Sequence, residues 1–255
     1  MFKRICTLLA VALLVASHFV ANAQVFENNK VEQYYFWFSL KQGDDLRLIT
    51  SQISIDNVRN DTVWAYATTA QFAKFLTTGR QINLLPQPGI LPDVAMSDDF
   101  EVGGKATWNY YPTYEAYESL MAQFQATYPA LCQVTTIATL ASGRKLLVAK
   151  ISDNVAANEA EPEFLYSSSM HGDETTGYIL MLHLIDNLLA NYGSNAEITN
   201  LVNSLEIYIA PLANPDGTYY GGNSSVSGAI RYNANGVDLN RNYPDPQNGQ
   251  HPDGN

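Results

Sequence analysis

The stretch SSMHGDETTG, residues 168–177, sets His171 and Glu174 three positions apart. An imidazole nitrogen and a carboxylate oxygen are both good zinc ligands, and this spacing recurs in metal sites. Gly172 between them allows a sharp turn. Glu174 reads as part of the first turn of a helix, where a carboxylate also suits the helix dipole. On this motif alone a second reading stays open, in which Glu174 caps the helix and His171 is incidental. A catalytic zinc site usually has three protein ligands and a water, so a third ligand is sought. His183 falls with Asp186 and Asn187 on the polar stripe of the following helix, as a solvated surface residue does. His251 lies in the loop-like tail NGQHPDGN, and metal ligands are better held by rigid elements.

Two further segments concentrate polar chemistry. In APLANPDGTYY, Asn214-Pro215-Asp216-Gly217 reads as a turn after a strand. In RYNANGVDLNRNYPDP, Arg231 and Arg241 are each able to bind a carboxylate or stabilise an oxyanion, and Arg241 can do so with a bidentate fork. Asn240 adds a neutral donor. Asp238 is placed to accept a hydrogen bond from a metal-ligating histidine and fix its tautomer. The plain alternative is a surface turn with structural asparagines and ordinary surface arginines.

The elements that must position these groups alternate between strands and helices. EFLYSSS is a short strand running into His171, residues 174–189 have helical spacing, and LEIYIAPLA is another strand. Before them, TYEAYESLMAQFQATYP reads as an amphipathic helix closed by Pro129. QVTTIATL, ASGR and KLLVAKIS read as strand, turn and strand. The pattern implies an α/β fold with a mixed sheet, because the first strand pair is joined by a tight turn. Ligands on such sheets gather at the carboxyl ends of strands, where His171 sits. Residues 24–86 read as a small α/β N-terminal domain: YYFWFSL and TVWAYAT as strands, DDLRLITSQI with helical spacing, and TAQFAKFLTTG as a helix capped by Thr69. Residues 87–107, rich in Pro, Gly and Asp, read as a linker.

The whole chain has 255 residues, with 25 acidic and 14 basic side chains and a formal net charge of −11. Phosphate recognition needs a positive surface, so a general nucleic-acid role is excluded. Residues 1–23 read as a signal peptide: Lys3 and Arg4, an apolar run, then small residues at Ala21 and Ala23. The expectation is export, to the periplasm or outside the cell, without stable membrane insertion and as a monomer. Cleavage would leave Cys132 as the sole cysteine, so no intrachain disulfide is expected. Its place at the start of a strand suits a buried packing residue.

HGDE, NPDG, Arg231 in IRYNANG, and GVDLNRNYP, in this order and at these separations, resemble the M14 zinc carboxypeptidases. YPTYEAYESLM and SGRKLLVAKIS resemble the opening of that catalytic domain. The resemblance covers roughly Tyr110 to Asn255 and implies a carboxypeptidase-like α/β/α domain over residues 108–255. By the same resemblance, residues 24–86 are similar to the small N-terminal domain or prosegment of such enzymes. It implies Zn2+ held by His171 and Glu174, with Asp238 orienting His171. Arg231 would polarise the scissile carbonyl and stabilise the oxyanion, while Asn240 and Arg241 would hold the C-terminal carboxylate of a peptide or protein substrate. The family's third ligand, a histidine, and its general-base glutamate come later in the chain. The expectation is therefore that both lie beyond Asn255, and that the 255 residues alone are an incomplete, inactive part of a longer enzyme. Two other functions remain in view: a zinc-dependent amide hydrolase acting on acylated amino acids or cell-wall peptides, and a non-catalytic carboxylate-binding module.

Overall fold

Alternation in QYYFWFS turns Phe36 and Phe38 to one face of strand β1 (Gln33–Ser39), and both are fully buried. The computed structural model describes residues 31–104, 107–241 and 243–244; residues 1–23, read above as a signal peptide, and His251 lie outside them. Helix α1 (Leu46–Thr50) is capped by Asp45, and β2 (Ser54–Arg59) and β3 (Thr62–Thr68) follow. Helix α2 (Thr69–Leu76) and β4 (Ile82–Leu85) complete the first sheet, which is antiparallel with strand order β2-β3-β1-β4. The cap of α2 is Thr68 rather than Thr69. The Thr68 hydroxyl accepts from the Gln71 amide, and the Gln71 side chain accepts from the Thr68 amide, a reciprocal capping box. Helical structure in DDLRLITSQI stops at Thr50, because Ile53 and Ser54 are drawn into the core and onto the β3 edge. Phe36, Phe38, Ile49, Ile53, Val63 and Phe75 form this sheet's own core.

Of residues 87–107, expected as a linker, the described stretch 87–104 lies packed along the second half of the chain. β5 (Met96–Ser97) pairs in parallel with β6 (Tyr111–Pro112). Leu91, Val94, Met96, Phe100 and Val102 pack against the larger core. Helix α3 (Tyr114–Thr127), capped by Thr113, buries Tyr114, Tyr117, Leu120, Met121 and Phe124, an i, i+3, i+7 stripe. Each such side chain contributes about 1.5–3 kcal/mol by leaving water.

β7 (Cys132–Thr139) and β8 (Lys145–Ile151) form the expected hairpin, and Cys132 is buried. β9 (Glu163–Ser167) leads through α4 (Thr175–Asn191) and α5 (Ala196–Val202) to β10 (Glu206–Ala210). A short helix, α6 (Pro215–Thr218), follows. The second sheet has order β7-β8-β10-β9, with β10 antiparallel to β8 and parallel to β9. The sheet is mixed, as read from sequence, because β8 returns by a tight turn while β10 returns through helices. β9 is its edge and exposes Phe164, Leu165 and Tyr166. No helix among the described residues is long and apolar enough to cross a membrane.

Candidate metal centre and carboxylate-binding loops

The parallel pairing of β9 and β10 sets Ala210 opposite Ser167, so the turns leaving both strands emerge side by side. They are then bonded together: the Ser168 amide donates to Ala210 O (3.1 Å) and the Ala213 amide to Ser168 O (2.9 Å). The buried Asn214 fastens three loops with one side chain. Its Oδ1 accepts from the Gly217 amide (2.9 Å), and its Nδ2 donates to Met170 O (3.3 Å) and Tyr232 O (3.1 Å). Gly172 lies against this knot so closely that a Cβ would sit 2.3 Å from Gly217 C and 2.5 Å from Ile230 O. The need for glycine here comes from close backbone approach. Ser169 adopts φ 51°, a left-handed conformation uncommon for a residue with a side chain, and its hydroxyl donates to Glu174 O (2.8 Å).

This turn brings His171 Nδ1 to 2.9 Å from Glu174 Oε1. Glu174 stands at the N-cap of α4, yet its side chain makes no capping bond; the carboxylate turns to His171. The capping alternative is thereby set aside. Zinc holds nitrogen and carboxylate oxygen at about 2.0–2.2 Å, so two tetrahedral ligand atoms lie about 3.4 Å apart. The His171 and Glu174 atoms need to part by only about half an ångström to take such an ion. Glu174 is 63% exposed, so the open side of the pair faces solvent. The types and spacing of these two donors fit zinc, and among the described residues they are not part of a group of three such side chains.

The far side of His171 is closed. Its Nε2 lies 3.1 Å from Asp238 Oδ1, and Asp238 Oδ2 accepts from Arg231 Nε (2.8 Å). All three side chains are buried. Burial by itself pulls the His171 pKa down, but the hydrogen bonds to Asp238 and Glu174 outweigh it and the net shift is upward. The bond from His171 is also the largest cause holding Glu174 below the usual carboxylate range. Burial likewise works against the Arg231 charge, which Asp238 more than restores. The Asn240 amide donates to Asp238 Oδ1 (2.9 Å), so the loop carrying Asn240 and Arg241 is pinned to the same carboxylate. Four residues singled out from sequence, His171, Glu174, Asp238 and Arg231, thus form one hydrogen-bonded chain. Asn240 and Arg241 border it, Asn240 being exposed.

Other partners at the site come from the first sheet and carry no sequence motif. The Ser54 hydroxyl bonds Asp238 Oδ2 (2.5 Å) and accepts from Arg231 Nε (2.9 Å). Gln33 Oε1 accepts from the Arg231 amide (2.8 Å), and the Tyr66 ring lies 5.2 Å from the Arg231 guanidinium. Arg241 Nη2 donates to Ile55 O (2.7 Å). A serine and a glutamine at strand ends give no signal of such a role. Asn214 did carry one, as an asparagine before proline at a strand exit.

The family described as zinc carboxypeptidase matches residues 117–255, more than half of the chain. The chain belongs to the zinc carboxypeptidase family. Among curated members, carboxypeptidase D of Anas platyrhynchos is 40% identical over 130 residues, covering 50% of this chain and 9% of that protein. Carboxypeptidase M of Mus musculus is 36% identical over 144 residues, covering 53% and 31%. A zinc carboxypeptidase of Saccharothrix mutabilis subsp. capreolus is 32% identical over 154 residues, covering 57% and 36%. The chain therefore matches well under half the length of these relatives. In solved structures its fold is like that of carboxypeptidase A from Helicoverpa armigera, with TM-score 0.55, 19% identity, and coverage of 84% of this chain and 58% of that one. Thrombin activatable fibrinolysis inhibitor gives TM-score 0.55 and 16% identity, covering 85% and 60%. At 84–85% coverage the likeness of fold reaches beyond residues 117–255 into the first sheet. Membership of the zinc carboxypeptidase family implies zinc.

Proposed function

We propose that the protein is an exported zinc-dependent carboxypeptidase that removes C-terminal residues from peptides or proteins, with His171 and Glu174 as two of its zinc ligands. The observation that carries this reading is that Asp238 joins Arg231 to the His171–Glu174 pair and, through the Asn240 amide, anchors the loop that carries Arg241. An exopeptidase must recognise a free carboxylate next to the bond it cuts. A guanidinium fork does this, and Arg241 with Asn240 supplies it. Arg231 is positioned to stabilise negative charge developing on the scissile carbonyl oxygen. Bound zinc supplies Lewis acidity and a water of lowered pKa. Asp238 keeps the His171 ring oriented so that Nδ1 faces the metal position.

In the present conformation the arginines are engaged by the first sheet. Ile55 O takes a donor from Arg241, and the Ser54 hydroxyl takes one from Arg231. A peptide carboxylate and carbonyl would need those donors, so the sheet is read as a prosegment-like cap on the site. Residues 1–23 support export as a signal peptide.

The test, made on the full-length enzyme, is hydrolysis of peptides with a free C-terminus against the same peptides as C-terminal amides, with and without a chelator. Chelator-sensitive release of the last residue from the free acids alone is expected. Equal cleavage of the amides would replace this reading with an amide hydrolase. Saturable binding of free acids without any turnover would replace it with a carboxylate-binding module.

A further inference from the structure

We propose that the first sheet is a hinged cap that opens while still attached, rather than a segment that must be cut away. This rests on the carboxypeptidase reading only for the identity of the ligand that opens it.

The cap touches the site through a few polar groups: Ser54, Gln33, Tyr66 and the Ile55 carbonyl. The apolar cores of the two sheets share no residue. Separating them leaves the members of each core together, and the polar groups released can be hydrated. A free carboxylate arriving at Arg241 and Arg231 competes for the donors that the cap uses. Ligand and closed cap exclude one another, so the ligand shifts the population toward the open form.

The strap behind the cap is built differently. Gly89 O accepts from the Gly228 amide (2.8 Å), and the Leu91 amide donates to Ser227 Oγ (3.0 Å). A Cβ at Gly89 would fall 1.9 Å from Ala229 O, so the two backbones are in direct contact. Further along, Ala95 O and Ser97 O accept from the amides of Tyr111 and Thr113, and the Gly103 and Gly104 amides donate to the buried Asp186. The strap thus belongs to the larger core, and the hinge is confined to Pro86–Gln87–Pro88 between the end of β4 and Gly89. Gln87 is itself bonded to Gln33, with its Nε2 donating to Gln33 O (2.6 Å).

The sequence joining the cap to its strap offers no basic cleavage point. Residues 81–104 contain no lysine or arginine, and the first basic residue after them is Lys105, at the far end of the strap. Arg80, just before them, is held by both oxygens of Asp44 (2.5 and 2.8 Å) with its side chain 13% exposed. A protease that reads a basic side chain finds none free between the cap and its strap.

Hydrogen-exchange mass spectrometry on the zinc-loaded full chain tests this in two arms. In the first, Ser54→Ala and Gln33→Ala are combined without ligand. Exchange across residues 52–58 is expected to rise at least about tenfold, on the ground that local opening sets the rate, while residues 89–104 stay as protected as in the wild type. Unchanged exchange in 52–58, or a matching rise in 89–104, would overturn the hinge. In the second arm the wild type is given N-acetyl-alanyl-alanine as the free acid or as its amide. The free acid alone is expected to raise exchange in 52–58, with the chain mass unchanged. If the free acid instead raises exchange in 89–104 along with 52–58, the hinge fails. If the first arm succeeds and the free acid does no more than the amide, the hinge stands and the carboxypeptidase reading falls.

Discussion

His171 Nε2 lies 3.1 Å from Asp238 Oδ1, a contact made across 67 residues of sequence. Burial alone would raise the Asp238 pKa. The hydrogen bond from His171, the Arg231 charge and the Ser54 hydroxyl together hold this carboxyl well below the usual range. A carboxylate kept ionised at that point favours the tautomer with the proton on Nε2, which would leave Nδ1 able to coordinate the proposed zinc. The same carboxylate fixes Arg231, so one side chain orients both the proposed metal ligand and the proposed oxyanion donor.

Zinc binding is expected to depend on both partners of this contact, to different degrees. His171→Ala removes a ligand and should abolish zinc binding measured by equilibrium dialysis. Asp238→Asn keeps the shape and loses the charge, and should weaken binding by about tenfold to a hundredfold. Undiminished zinc affinity in His171→Ala would place the metal elsewhere.

Arg241→Ala should weaken productive binding of free-carboxylate peptides by about tenfold to more than a hundredfold, as expected from losing a charged hydrogen bond of about 1.5–3 kcal/mol. In the full-length enzyme the loss should appear in kcat/KM for free acids and be almost absent for the corresponding amides. An equal loss for both would mean that Arg241 supports the loop rather than the substrate carboxylate.

Gly172→Ala forces a Cβ to within 2.3 Å of the Gly217 backbone. Backbone cannot swing aside as a side chain can, so a destabilisation of about 3 kcal/mol or more is expected, at the upper end of overpacking costs. Chemical denaturation would measure it. A wild-type midpoint with intact zinc binding would show that the knot around Asn214 is looser than its geometry implies.

The Asp44–Arg80 pair should stabilise the first sheet in a pH-dependent way. Hydrogen bonding from Arg80 is the largest cause lowering the Asp44 pKa, to about 2. The unfolded value is about 3.9, so the folded state favours the ionised form. The contribution is present in full above roughly pH 4 and fades as pH falls toward about 2. The urea midpoint of Asp44→Asn should lie below wild type at pH 6, with the gap closing near pH 2. A gap that does not change with pH would assign the effect to packing.

What the sequence by itself determined was local. His171 and Glu174 sit within one turn, so their types and spacing already state that they can share a ligand. Arg231, Asp238, Asn240 and Arg241 lie within a single loop. The alternation of strands and helices also gave the mixed sheet and put His171 at the end of one of its strands. Only the tertiary structure decided that Glu174 turns to His171 instead of capping α4, because that choice depends on Ser169 and Gly172 being held against the Asn214 knot. Proline, glycine and aspartate in residues 87–104 read as a linker; the apolar residues among them have no period, and only a second surface to pack on reveals them as a strap. The bonds from Ser54 to Asp238 and from Gln33 to Arg231 span 184 and 198 positions. A serine and a glutamine in a strand look alike whether they face water or a buried charge. Their roles exist only once folding has brought the opposite charge to them.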